Sequence, residues 1–223
     1  MTEKKKLIQK ILNVFEAGAP ECQYDKLVVY RDGIGRSKQI TFGKHQTTEQ
    51  GNLLTLIEMY VEREGSYSDD FVPYLELIGN TPLHEDEEFK NLLLSAARED
   101  QIMRDTQDEF FDEVYWNPAM SWCERNQIQL SLSALVIYDS YIHSGQVLMF
   151  LRKRFIELPP SRGGDEKAWV SSYVNIRHQW LKYHSNRILR KTIYRTQTFI
   201  NEIEKNNWNL DDLPIVANGV SVS

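Results

Sequence analysis

Residues 15–52 read FEAGAPECQYDKLVVYRDGIGRSKQITFGKHQTTEQGN. Upstream, Leu7, Ile8, Ile11, Leu12 and Phe15 recur at helical spacing and predict an amphipathic helix from about Glu3 to Ala17. Gly18 and Pro20 stop it. Leu27–Tyr30 and Gln39–Phe42 are β-rich, and Asp32, Gly33 and Gly35 mark a turn between them, so this stretch predicts a β-hairpin. The stretch thereby holds two carboxylates in different settings: Glu16 at a helix end and Asp32 at a hairpin tip. A pair of carboxyl groups across a cleft is the minimum equipment for cleaving a glycosidic bond.

The rest of the chain reads as helix. Thr47 or Thr48 is expected to cap a helix running through Leu53, Leu56, Ile57, Tyr60 and Val61 to Gly65. A short helix follows over Phe71–Ile78. Glu85 to about Val114 reads as one helix or two, and Asn117-Pro118 restarts the pattern. Further helices are expected from Ser131 or Ser133 to Ser144, over Gln146–Ile156, from about Asp165 to Tyr183, and from Asn186 to Lys205. Leu158-Pro-Pro-Ser-Arg-Gly-Gly164 is a loop and the expected junction between lobes. The tail from Asn206 to Ser223 reads as irregular, with a mobile end. The fold expected is mainly α (α+β). It is a single catalytic domain of two lobes, the smaller over roughly 25–80 and the larger over 1–24 and 81–210.

Composition narrows the function. The 223 residues are 41% hydrophobic and 11% aromatic, ample for a packed core. The net charge of −6 comes from interspersed charges. No basic stripe marks a nucleic-acid partner, and the mild acidity permits a cationic substrate. The start, MTEKKKLIQKILNVFEAG, has no long apolar run, so it is an amphipathic helix rather than a signal peptide. No stretch is long enough to span a membrane. A trimmed leader would make the protein secreted; otherwise it is expected in the cytoplasm. Cys22 and Cys123 are expected to be free thiols. The five histidines lack metal-ligand spacing, so no metal and no cofactor are expected, and His45 and His143 read as polar core or cleft residues.

Glu16 lies at the margin of the apolar face and in the last helical turn, where the macrodipole disfavours negative charge. Both settings suit a group that must hold a proton for general acid catalysis. Asp32 precedes a turn glycine, a common place for Asp, and Thr41 and Thr47 are candidates to orient a water beside it. Asp139 falls in the apolar stripe Leu132, Leu135, Val136, Ile142 of LSLSALVIYDSYIHSG. A carboxylate there needs cations or donors, because burying it alone costs several kcal/mol. Val170, Val174, Arg177 and Leu181 share one face of a later helix, and Ile188, Arg195 and Phe199 share another. Asp139, Arg177 and Arg195 are therefore expected to meet as a buried network, with one arginine reaching Glu16. Trp116, Tyr30 and Phe42 are candidates to line a sugar cleft.

These residues resemble a family. Phe15-Glu16, Tyr30-Arg31-Asp32-Gly33 with Ile40-Thr41-Phe42-Gly43, Thr48–Leu53, Val114–Ala119, Tyr138-Asp139-Ser140 with His143-Ser144-Gly145, and Gly164-Asp165-Glu166 with Arg177 and Arg195 occur in the order of motifs in the family 46 glycoside hydrolases. These are the chitosanases of the lysozyme-like superfamily. The resemblance implies an inverting hydrolase of β-1,4 links in an amino-sugar polymer, with chitosan the expected substrate and peptidoglycan the alternative. It implies Glu16 as general acid, Asp32 as general base and Thr41 as the residue orienting the water. Tyr30, Arg31 and Asn52 bind substrate by the same resemblance, and Asp139, Arg177 and Arg195 support the acid. A monomer is expected. A catalytically inactive cell-wall or carbohydrate-binding module is the alternative of another class. Two departures stand out. The hairpin tip is longer here, which keeps Asp25 open as an alternative base. Asn52 stands where the family has an Asp for a cationic glucosamine unit, which leaves room for an N-acetylated substrate.

Overall fold

The computed structural model describes residues 3–44 and 46–223; His45 lies outside the described residues. The chain forms two compact units, residues 22–113 and residues 1–21 with 114–223. The smaller unit thus runs to Glu113, not to about 80, because the helices after residue 80 pack into its own core. The Pro-Pro loop at 158–164 lies inside the other unit rather than at a junction.

Helix α1, Glu3–Ala17, buries Leu7, Ile8, Ile11, Leu12, Val14 and Phe15, the face its spacing predicts. In the smaller unit, β1 (Leu27–Tyr30) and β2 (Gln39–Phe42) pair antiparallel. A two-residue strand, β3 (Thr47–Thr48), adds to β2. Alternation along β2 decides which side chains meet the core. Ile40 and Phe42 join the cluster that includes Leu53, Leu56, Ile57, Tyr60, Phe71, Phe89, Leu93 and Met103. Gln39 and Thr41 lie on the opposite face of the strand.

Helix α2, Leu53–Glu62, starts after Asn52, so neither Thr47 nor Thr48 caps it; both are drawn into β3. Helix α3 is short, Ser68–Phe71. The long helical stretch after residue 85 is two helices, α4 (Glu87–Glu99) and α5 (Gln101–Phe111), and Asp100 is the break. Its carboxylate accepts from Ile102 N (2.8 Å), Ser66 N (2.7 Å) and Tyr60 Oη (2.6 Å). Gly65 is required beside it, since a Cβ there would sit 2.1 Å from the Tyr60 ring.

In the larger unit, α6 (Asn117–Asn126) leads to α7 (Ser131–Ser144). Helix α7 is buried continuously from Leu135 to Ser140, so it is the centre of the unit rather than a surface helix with one apolar stripe. Gln146–Ile156 shrinks to a single turn, α8 (Met149–Arg152), and α9 spans Glu166–Lys182, capped by Asp165. The last helical stretch divides at Thr192 into α10 (Arg187–Lys191) and α11 (Ile193–Glu204). The break turns Ile188 out to 73% exposure while Arg195 and Phe199 stay buried, so the three do not share a face. The tail is ordered rather than irregular: β4 (Ile215–Ala217) and β5 (Val220–Val222) form a hairpin. Leu210, Ile215, Ala217 and Val222 are buried and hold it down. Cys22 and Cys123 are not joined in a disulfide.

Asp100 carries the turn that joins α4 to α5. Burial works against its charge, but the Tyr60, Ile102 and Ser66 donors outweigh this and hold its carboxyl below the usual range. Asp100→Ala leaves the buried Tyr60 hydroxyl and two part-buried backbone N–H groups without their acceptor and is expected to cost about 2–4 kcal/mol. A fall in the urea midpoint at pH 7 with unchanged slope checks this.

Candidate functional site

The larger unit holds Glu16, Asp139, Arg177 and Arg195 as one connected chain of charges. Asp139 on α7 is fully buried and receives Arg177 Nη1 from α9 and Arg195 Nη1 from α11, each at 2.6 Å. Arg195 Nη2 then donates to Glu16 Oε1 at the end of α1. Each residue's helix supplies one member, and the face that buries it is set by its apolar neighbours. Val170, Val174 and Leu181 carry Arg177 inward, and Phe199 does the same for Arg195. The two guanidinium groups face two carboxyl groups, and pairing of this kind is what makes such burial tolerable.

Arg195 also completes the end of α1. That helix has no basic residue in its last turn, where a cation is favourable. The Arg195 guanidinium lies over the Phe15 ring, 5.3 Å from its centroid, and Tyr194 Oη donates to the Phe15 carbonyl at 2.7 Å. Glu16 is thereby fixed at one oxygen while its side chain remains 34% exposed. A side chain held at one end and open at the other can meet a ligand with little loss of freedom.

The charges reshape their neighbours. Burial alone would raise the Asp139 carboxyl, but Arg177 and Arg195 outweigh it and hold it below the usual carboxylate range. Arg195 is opposed by burial and raised by Asp139 and Glu16. His143, one turn beyond Asp139, is pushed down to about 4 by burial and by the Arg177 and Arg195 charges, with Asp139 opposing. It is neutral at pH 7. Burial, followed by the charge of Glu16, raises the Tyr115 phenol. Trp116 packs edge-on against Tyr138, with Lys5 Nζ 4.8 Å above its ring.

The smaller unit holds the other candidates. Asp32 is exposed just beyond β1 and accepts from Gln39 Nε2 at 2.9 Å. Thr41, in the middle strand of the sheet, is 3% exposed, and its Oγ1 has no hydrogen-bond partner among the described residues. Thr47 differs: its hydroxyl donates to the Phe42 carbonyl at 3.0 Å and is spent on the backbone. Asp25, the alternative base, is ion-paired with Arg98 at 2.7 Å. Tyr30 and Arg31 are exposed, and so is Asn52, whose side chain makes no capping bond to α2. Phe42 is fully buried in the core and lines no cleft. Among the described residues no group of three His, Cys, Asp or Glu is placed to hold a metal ion.

The two units differ in charge. Residues 22–113 hold nine Lys and Arg against twenty Asp and Glu, a net −11. The remainder holds seventeen against twelve, a net +5. The asymmetry is invisible in the overall −6. Sequence reading also missed Tyr194, Gln39 and Gln50. Tyr194 adjoins a predicted network arginine, which is a weak signal, and the glutamines carry none.

Breaking the network by Asp139→Asn leaves two buried guanidinium groups short of one charge, at an expected cost of about 3–5 kcal/mol. Because the Asp139 carboxyl is held below its unfolded value, its contribution is present above about pH 4 and fades as the pH falls further. Unfolding midpoints from pH 7 down to pH 3 should show this limb in the wild type and a flattened one in Asp139→Asn.

Comparison with known proteins places the geometry. The model of glycosyl hydrolase family 46 matches residues 10–215. A curated chitosanase of Bacillus subtilis is 24% identical over 227 residues, covering 94% of this chain and 80% of its own length. The crystal structure of a native chitosanase from Bacillus subtilis MY002 superposes with a TM-score of 0.78 at 22% identity, covering 100% of this chain and 99% of that one. A family 46 chitosanase of Gynuella sunshinyii, solved with chitotetraose, gives a TM-score of 0.79 at 22% identity, with 100% and 98% covered. The two solved structures share the mostly helical fold with a small antiparallel sheet. With the family model spanning almost the whole chain, the protein belongs to glycosyl hydrolase family 46 and is an endo-acting glycoside hydrolase.

Proposed function

We propose that the protein hydrolyses the β-1,4 bonds of chitosan with inversion, with Glu16 as general acid and Asp32 as general base, and that it acts as a monomer. The observation that carries the reading is the chain of buried charges that ends on Glu16. Burying three charged groups is costly unless they serve each other, and the chain they form ends on a carboxylate whose side chain is 34% exposed. In the reaction Glu16 gives its proton to the glycosidic oxygen as the bond from the anomeric carbon breaks. Water attacks that carbon from the opposite face and loses a proton to Asp32. Thr41 is the candidate to hold the water, since its buried hydroxyl has no other partner among the described residues. Tyr30, Arg31 and Asn52 are exposed and are proposed to contact the sugar. No cofactor enters this scheme.

Chitosan is favoured over other amino-sugar polymers on two grounds. The relatives above are chitosanases by name. The unit that carries Asp32 has a net charge of −11, which draws in a polycation and repels an anionic polymer. Asn52 favours the second reading, peptidoglycan, because it brings no carboxylate to pair with a glucosamine ammonium.

Wild type, Glu16→Gln and Asp32→Asn assayed on glucosamine oligomers and on peptidoglycan separate these. The wild type is expected to cleave the oligomers, and each variant to lose about 100- to 10,000-fold in kcat while still binding. Undiminished turnover by Glu16→Gln removes it as the acid. Cleavage of peptidoglycan alone replaces the substrate, and binding without cleavage by the wild type makes the protein a binding module.

A further inference from the structure

The loop from Arg31 to Lys38 separates Asp32 from β2, and a loop of that length would leave a carboxylate at its base loosely held. The structure assigns Gln39 to hold it. Gln39 is a positioning residue for Asp32, and Gln50 is its support. The inference rests on the reading of Asp32 as the base.

Gln39 opens β2 on the face it shares with Thr41, opposite Tyr30. It is 5% exposed, so its amide has little freedom. Nε2 donates to Asp32 Oδ1 at 2.9 Å, and Oε1 accepts from the backbone N–H of Gln50 at 3.1 Å. One amide therefore fixes the carboxylate and is itself fixed from the far side. Gln50 then binds the loop through its own side chain. Its Oε1 accepts from Ile34 N at 2.6 Å and its Nε2 donates to Ser37 Oγ at 2.9 Å. Gly33 admits this arrangement: a Cβ there would lie 2.7 Å from Gln50 Oε1 and 2.6 Å from Ser37 Oγ. The loop also closes on itself, with Gly33 N donating to the Ser37 carbonyl and Arg36 N to that of Gly33.

Two glutamines thus replace what a tight turn would supply. Asp32 leaves β1 two residues after Tyr30, and the Gln39 amide ties it back to the first residue of β2. Oδ1 is committed to this bond, while the residue as a whole stays exposed. Thr41 follows on the same strand face two residues later, so one strand carries both the holder of the carboxylate and the candidate holder of the water. Misplacing a reacting group by about 1 Å costs on the order of 100-fold in rate, which sets the size of the effect.

The test is a double-mutant cycle on the full chain with the glucosamine hexamer as substrate. Gln39→Glu keeps the acceptor for Gln50 and replaces the donor to Asp32 by an oxygen. It is expected to lower kcat about 100-fold, with KM within twofold, and to lower the melting temperature, since two carboxyl groups then meet at a position that is 5% exposed. Added to Asp32→Asn, it is expected to cause no further loss, because no base remains to be held. If Gln39→Glu does not fold, Gln39→Met is read the same way. Wild-type kcat in the single variant, or a full additional loss in the double variant, overturns the positioning role and leaves Asp32 as base intact. An active Asp32→Asn removes the reading of Asp32, and the inference with it.

Discussion

Arg195 bridges two carboxylates, one fully buried and one open to solvent, and the larger unit is built to allow this. Asp139 cannot be ionised at the centre of α7 without cations, and Arg177 and Arg195 cannot be buried without Asp139. The three come from three helices, so the network and the packing of α7, α9 and α11 specify each other. Its fourth member, Glu16, receives from the protein interior the cation that its own helix end lacks. Burial first, and then the Arg177 and Arg195 charges, keep His143 neutral, and burial followed by the Glu16 charge raises the Tyr115 phenol.

The smaller unit works by different means. It has an apolar core beneath the sheet and a strongly acidic composition overall, and it holds Asp32 with neutral amides instead of charges. An amide donor orients the carboxylate without an ion pair. The contrast between the units follows from their tasks in the proposed reaction. One carboxylate must carry a proton to the leaving oxygen. The other must take a proton from water, and it sits in the unit whose charge attracts a polycation.

Much of this was legible in the residues and some was not. Helix α1, the two hairpin strands and the buried meeting of Asp139, Arg177 and Arg195 follow from period and burial, because a charge on an apolar face must find its complement. That one arginine reaches Glu16 followed from the same reasoning, but not that it is Arg195 rather than Arg177. The split at Thr192 escaped it: Ile188 keeps helical spacing with Arg195 in sequence while the backbone turns between them. The terminal hairpin escaped it too, since Ile215, Ala217 and Val222 are few and their neighbours are polar. Gln39 reads as an ordinary strand residue, and only the position of Asp32 seven residues earlier gives it meaning. The division of charge between the units shows only when charges are counted on either side of the boundary at Glu113.

Inversion requires a water that attacks opposite the leaving group, and the anomeric configuration of the first product reports this directly. Proton NMR during early hydrolysis of the glucosamine hexamer, before mutarotation, distinguishes the outcomes. The α-anomer is predicted at the new reducing end. Initial release of the β-anomer would mean retention, and would contradict the assignment of Glu16 and Asp32 as an acid and base acting on either side of a water.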